Sequence, residues 1–188
     1  ILDVGCGCGF LLSYLEKKKW KCYGVEPSNY ASQIASANGV NIIAKYVNDI
    51  KPSEYKFDII LLMDVIEHIP DANALIKTLY NLLKPRGYLI IETGNINSLN
   101  SKICKHKWAY FGSYEHISFY NPPSISYLLK KNGFRILRIQ KILHHGAFLI
   151  NGIYMLKNIM KFIVTEKLKK RNYSYDLAFD HMLVIARR

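Results

Sequence analysis

The chain has 188 residues, of which 26 are Lys or Arg and 14 are Asp or Glu, giving a formal charge of +12. Half of it is hydrophobic and 21% is charged, too apolar for a disordered polycation and too evenly mixed for a membrane channel. A chain of this length buries a core as one domain, with no need of metal or disulfide staples.

In chain order, residues 1–4 read as a strand, followed by a glycine-rich turn and a helix to about residue 19. A second strand is predicted over 20–26, a helix over 29–38 and a short third strand over 41–46. Residues 57–63 form a nearly continuous apolar run, the pattern of a central strand buried on both faces. A helix over 71–83 follows, with Pro70 before it and the breaker Lys84-Pro85-Arg86-Gly87 after it, and the fifth strand spans 88–92. Short strands alternating with helices predict an α/β fold: a Rossmann-like, mostly parallel sheet with helices on both faces.

Beyond residue 93 the rhythm changes. Residues 94–121 form a long connection rich in Asn, Ser and aromatic residues, a length that usually carries function or structure of its own. A helix over 122–132 stops at Gly133, residues 134–143 alternate as a strand, and 148–170 is helical in pattern. Its apolar residues fill about half of the helical wheel, with Lys157, Asn158 and Lys161 opposite. Residues 181–186 close the chain as a late strand, predicted antiparallel and the seventh of the sheet. The expectation is a single domain over 1–188, with 94–121 and 146–175 as insertions on the acceptor side or as a lid.

Four cysteines are too few for a secreted disulfide scaffold, so a reducing cytoplasm is the expected compartment. The chain opens on Ile1 within an apolar run, without Met, and the natural protein is expected to extend further at that end, where any targeting segment would lie. The longest apolar stretch, 147–164, is interrupted by Asn151, Lys157, Asn158 and Lys161 and is a poor membrane span.

The most informative segment is Asp3-Val4-Gly5-Cys6-Gly7-Cys8-Gly9. Alternate glycines strip side chains from a loop and leave its N–H groups open to polar ligand atoms at the start of a helix. The spacing differs from the G-x-G-x-x-G of dinucleotide loops, because Phe10 follows Gly9 and the third glycine arrives one residue early. Glu26 lies at the end of the second strand, where open α/β folds place an acid that accepts from ribose hydroxyls. Asp49 follows the third strand, and Met63-Asp64 ends the fourth. All lie at the carboxyl ends of predicted parallel strands, beside which such sheets bind ligands.

These residues, with Gly24-Val25-Glu26-Pro27-Ser28, Phe57-Asp58-Ile59-Ile60, Asp64-Val65-Ile66-Glu67-His68-Ile69 and Leu83-Lys84-Pro85-Arg86-Gly87-Tyr88, resemble the class I S-adenosylmethionine-dependent methyltransferases. The group most resembled includes the ubiquinone-biosynthesis O-methyltransferases. The resemblance is close over residues 1–92 and looser at Gly133-Phe134. It implies that Asp3, Gly5, Gly7, Gly9 and nearby backbone hold the amino-acid end of S-adenosylmethionine. It further implies Glu26, beside Pro27, on the ribose, Asp49 and Ile50 on the adenine, and Met63, Asp64 and His68 flanking the cofactor. S-adenosylhomocysteine would be the product. The family normally has a further helix before the first strand, and none precedes Ile1 in this sequence.

Other features admit plainer readings. Cys6-x-Cys8 has no second pair or His cluster at zinc spacing, so small residues packing a tight turn explain it, and no metal site is expected. Glu67-His68 admits an acid/base pair, but in such a loop more often caps the following turn or orients the cofactor, and His144-His145 would end a strand rather than bind metal. Trp108, Tyr110, Phe111, Tyr114, His116, Phe119 and Tyr120 crowd the long connection, either packing a lid on the sheet or lining an acceptor pocket. In the second case His116 is the candidate catalytic base, taking a proton from a hydroxyl.

The charge is uneven: residues 1–94 carry 10 basic and 10 acidic side chains, residues 95–188 carry 16 and 4. Three explanations compete: compositional drift with a solvated helix end, an anionic acceptor, or an amphipathic helix over 148–171 resting on an anionic membrane. The favoured reading is methyl transfer to a small-molecule acceptor, with oxygen as nucleophile. The alternatives are an RNA or lipid-linked acceptor, or a non-catalytic binding or regulatory module. The last predicts decay of the cofactor residues, yet Asp3, the three glycines, Glu26 and Asp49 are present. A nucleic-acid partner is disfavoured because no recognised motif accompanies the charge.

Overall fold

A computed structural model of the chain describes residues 1–142 and 180–188. Each predicted strand has a counterpart: β1 (Leu2–Val4), β2 (Tyr23–Val25), β3 (Ile42–Ala44), β4 (Phe57–Met63), β5 (Leu83–Gly94), β6 (Arg135–Ile142) and β7 (His181–Arg187). They form one seven-stranded sheet in the order β3-β2-β1-β4-β5-β7-β6. The pairs from β3 through β5 are parallel, and β7 runs antiparallel to both β5 and β6. The predicted late antiparallel strand therefore sits between β5 and the edge strand β6.

Alternation along the strands splits the interior into two layers, since successive side chains point to opposite faces. Leu2, Val4, Ile60, Leu62, Leu89, Ile91, Met182 and Val184 share one layer with the buried faces of α3 (Ala72–Leu82) and α5 (Pro122–Lys131). Ile59, Leu61, Ile90 and Leu183 share the other with Leu12 and Leu15 of α1 (Phe10–Glu16) and Ala35 of α2 (Asn29–Ala37). Helices thus cover both faces, which is why the β4 sequence is apolar throughout its middle.

Caps set the helix ends. Ser28, Asp71 and Asn121 each accept a hydrogen bond from a backbone N–H of the first turn, and Asn121 and Ser124 bond reciprocally. The first helix ends at Glu16, short of the predicted residue 19, because the chain turns through Lys19 at φ 66° and the Trp20 N–H returns to the Leu15 carbonyl. β5 begins earlier than predicted. Leu83 pairs with Phe57 and Tyr88 with Ile59, so the breaker 84–87 bulges out within the strand, with Arg86 at φ 67°.

The long connection contains α4 (Leu99–Cys104) and 3₁₀ turns at Lys105–Lys107 and Ala109–Gly112. It closes on itself where the Ile96 N–H meets the Tyr120 carbonyl. Asp180 anchors it to the start of β7, accepting from Asn100 Nδ2 at 3.2 Å and Trp108 Nε1 at 3.1 Å. Burial works against the Asp180 charge, but hydrogen bonds from His181, Trp108 and Asn100 prevail and hold its carboxyl at about 2. Among the described residues no helix is long and apolar enough to cross a membrane. The predicted helix over 148–170, the insertion over 146–175 and His144-His145 lie outside the described residues.

Candidate active site at the carboxyl end of the sheet

The parallel strands β1, β2 and β4 end on one rim of the sheet, and Gly94 at the end of β5 pairs with His181 at the start of β7 on that same rim. The glycine loop leaves β1 here. Gly5 and Cys6 both donate backbone N–H groups to the Val25 carbonyl, at 2.8 and 3.1 Å, which ties the loop to the end of β2. Gly5, Gly7 and Gly9 have φ of 77°, 55° and 74°. At Gly7 a Cβ would meet no heavy atom within 4 Å, so the missing side chain leaves open space rather than a packing contact.

Glu26 faces this loop. Its Oε2 accepts from the Gly7 N–H at 2.8 Å and its Oε1 from the Ser28 N–H at 2.8 Å. Two backbone donors fix the carboxylate and leave each oxygen a further lone pair. Asp3 lies beneath the loop at 3% exposure, and its Oδ1 has no hydrogen-bond partner. Burial, with the Glu26 charge adding to it, pushes the Asp3 carboxyl up to about 7. A buried carboxyl oxygen without a partner, on the strand that leads into the glycine loop, matches a cation or a multiple hydrogen-bond donor. Pro27 is exposed after Glu26. Asp49 is exposed and accepts from the Tyr46 N–H at 3.1 Å, while Ile50 packs into the core below it. Cys6 is partly buried against one core layer, consistent with packing in the turn, and burial pushes its thiol up to about 12.

A second cluster lies beyond β4. Met63 and Asp64 are half-buried, and Asp64 turns the chain at φ 52°. Burial, followed by the Glu67 charge, pushes the Asp64 carboxyl up to about 6, with His181 and His68 pulling the other way. The Glu92 carboxyl rises to about 8 through burial and the charges of Asp64 and Glu67. Glu67 is fully buried and does not cap the turn over Ile66–His68. Its backbone carbonyl accepts the N–H groups of Ile117 and Ser118, both at 3.0 Å, stitching the connection to the end of β4.

The Glu67 carboxylate is held from one side. Oε2 accepts from Thr93 Oγ1 at 3.0 Å, Thr93 lies 3.1 Å from the Tyr110 hydroxyl, and that hydroxyl accepts the Gly94 N–H at 3.0 Å. Since Thr93 gives its proton to the carboxylate, Tyr110 is the donor to Thr93. Gly94 allows this approach, because a Cβ there would lie 2.4 Å from the Tyr110 ring. Glu67 Oε1 is buried without a hydrogen-bond partner.

His68 and His116 meet at this point, with ring centroids 4.8 Å apart. His68 Nδ1 lies 2.9 Å from the Glu115 carbonyl and His116 Nδ1 2.7 Å from the Tyr110 carbonyl. A carbonyl only accepts, so each Nδ1 carries a hydrogen and each neutral ring has its lone pair on Nε2. One ligand atom from each of Glu67, His68 and His116 lies within 4.8 Å of the other two. Sequence reasoning singled out the two histidines separately and gave Glu67 a role only beside His68, without a partner in the long connection. Its signal was a carboxylate placed inside the apolar run Val65-Ile66-Glu67-His68-Ile69.

Known proteins share this arrangement of elements. A family described as a methyltransferase domain matches residues 1–139. A ubiquinone biosynthesis O-methyltransferase of Bradyrhizobium diazoefficiens is 31% identical over 144 residues, covering 70% of this chain and 56% of the relative. One from Coxiella burnetii is 28% identical over 157 residues, covering 77% of this chain and 67% of the relative. The chain thus spans little more than half of the first of these proteins. The crystal structure of a SAM-dependent methyltransferase from Archaeoglobus fulgidus covers the whole chain at TM-score 0.70 and 18% identity, with 85% of that protein matched.

Proposed function

Because the chain belongs to the methyltransferase domain family, we propose that it transfers a methyl group from S-adenosylmethionine to an oxygen of a small-molecule acceptor. The observation that carries this reading is the loop and acid pair at the ends of β1 and β2. Gly7 and Ser28 fix both oxygens of Glu26 beside the space that Gly7 leaves open, above the orphaned Asp3 carboxyl. A ribose diol needs two acceptors in fixed relation, and an α-ammonium group needs a carboxylate; the cradle has both.

In this reading the glycine loop and Asp3 hold the amino-acid end, Glu26 the ribose, and Asp49 and Ile50 the adenine, with Met63, Asp64 and His68 alongside. The relatives named as ubiquinone biosynthesis O-methyltransferases support oxygen as the nucleophile. When bound, the cofactor supplies an activated methyl group on a good leaving group, so the residues around it chiefly align and exclude water. The aromatic connection supplies the water-excluding wall. His116 is the catalytic candidate, because its Nε2 lone pair is available to accept the acceptor's hydroxyl proton.

Calorimetry with S-adenosylmethionine and S-adenosylhomocysteine tests the assignment. Binding at micromolar level is expected, with Glu26→Ala weakening it by roughly 10-fold or more, the loss of charge-assisted hydrogen bonds to two hydroxyls. No heat from either ligand with the full-length protein overturns it.

A further inference from the structure

We propose that Glu92, near the carboxyl end of β5, reads the charge on the cofactor's sulfur: its carboxyl gives up a proton when the sulfonium of S-adenosylmethionine binds and keeps it when the neutral thioether of S-adenosylhomocysteine binds. The inference rests on the methyl-transfer reading and adds to it a group that separates cofactor from spent product.

Placement carries the argument. Glu92 stands directly between Met63 of β4 and Leu183 of β7, and its carbonyl accepts the Asp64 N–H at 3.1 Å. Residues opposite one another across a sheet share a face, and Met63 and Leu183 both pack in the layer of α1 and α2. Those helices begin after the glycine loop and after Glu26. Glu92 therefore lies on the loop's side of the sheet, toward the end where open α/β folds bind ligands.

An acid here departs from the pattern of its strand. Leu89, Ile90 and Ile91 before it are buried and apolar, and Ile90 precedes it on the same face. Among the described residues no hydrogen bond or ion pair reaches its carboxyl, and the charges acting on it are those of Asp64 and Glu67, both acids. His181, opposite Gly94 in the next row, faces Asp180 and Asp64 instead. A half-buried carboxyl among apolar and acidic neighbours is costly as an anion, and burial followed by these two charges pushes it up to about 8. A cation brought to this end of the sheet reverses the balance.

At neutral pH Glu92 is thus protonated in the ligand-free protein and with product bound, and ionised beside a sulfonium. Protons balance through a turnover. As the carbon–sulfur bond breaks and the oxygen–carbon bond forms, the acceptor hydroxyl gives up one proton and Glu92, no longer facing a cation, takes up one. A neutral Glu92 exerts no Coulomb hold on the thioether, which favours exchange of product for fresh cofactor.

Calorimetry of both ligands with the full-length protein at pH 7, repeated in buffers of different ionisation enthalpy, counts the protons released. Asp3, raised to about 7, meets the same α-ammonium in both ligands, so its release cancels in the difference. Asp64, at about 6, is already largely ionised at that pH. The expected result is roughly one proton more released per S-adenosylmethionine than per S-adenosylhomocysteine. The affinity ratio should shift toward S-adenosylmethionine as pH rises to about 8 and level off above it, where ligand-free Glu92 has also lost its proton. Glu92→Gln should abolish the proton difference, flatten that profile and cut the ratio about 3- to 10-fold, while S-adenosylhomocysteine binding within about twofold of wild type reports a folded site. Equal proton release with the two ligands by the wild type overturns the proposal and leaves the methyl-transfer reading standing. So does a proton difference that survives Glu92→Gln. Binding of neither ligand by the wild type overturns both.

Discussion

At the scale of single residues, the site gathers several carboxyl groups, of which Asp3, Glu26 and Glu67 are buried. Asp3 is the clearest case. Its pKa stands at about 7 in the folded chain against 3.8 for the free side chain, with burial the main cause and the Glu26 charge the second. An acid whose folded pKa is raised is protonated in the folded state where the unfolded chain has already lost its proton. Its contribution to stability is therefore full below pH 3.8 and declines as pH rises through about 7. A shift of that size corresponds to roughly 4 kcal/mol. Denaturant unfolding of the ligand-free protein across this pH window is expected to show stability falling with pH. Asp3→Asn should remove much of the decline, and Asp64 and Glu92, shifted the same way, should keep the remainder. An Asp3→Asn variant with the wild-type slope would show that Asp3 is not held protonated.

At the scale of elements, the connection between β5 and α5 is held by a few polar contacts more than by a core of its own. Phe111, Tyr114, Ile117 and Phe119 are exposed, while Trp108 and Tyr110 are buried. Tyr110→Phe keeps the ring and removes the hydroxyl that accepts the Gly94 N–H and donates to Thr93. Leaving that buried N–H unpaired is expected to cost about 1–3 kcal/mol in denaturant unfolding. It should also loosen Glu67, through Thr93. An unchanged midpoint would mean that another group takes over the hydroxyl's bonds.

The same segment marks where the sequence stops being legible. Strands and helices follow from side-chain periodicity within a few residues, so 57–63 and 122–131 can be read directly. The glycine loop and Glu26 are legible because their spacing within one β-loop-α-β unit sets their geometry. Asp180 reaching Trp108 and Asn100, and Glu67 meeting His116, depend on contacts between distant segments. No local pattern encodes them. The bulge at 84–87 is intermediate: Pro85 and Gly87 correctly mark a break in the chain, but not that β4 pairs on both sides of it.

At the scale of the whole molecule, charge is divided along the chain in a way that bears on cofactor choice. Residues 1–94 balance 10 basic against 10 acidic side chains, and the surplus belongs to residues 95–188. Among the described residues of the rim, however, the buried ionisable groups are acids, Asp3, Glu26 and Glu67, apart from His181. S-adenosylmethionine carries a sulfonium in addition to its amino-acid zwitterion, and S-adenosylhomocysteine does not. An acid-lined site therefore attracts the first by a Coulomb contribution that the second lacks, and dissolved salt screens its more exposed part. Raising salt from roughly 0.05 to roughly 0.5 M shortens the screening length from above 10 Å to about 4–5 Å, and is expected to weaken S-adenosylmethionine about two- to threefold more than S-adenosylhomocysteine. Parallel titrations of the two ligands check this. If S-adenosylmethionine instead binds more tightly as salt rises, its cation is being repelled, and the basic surplus of residues 95–188 must then reach the cofactor pocket and outweigh the acids that line it.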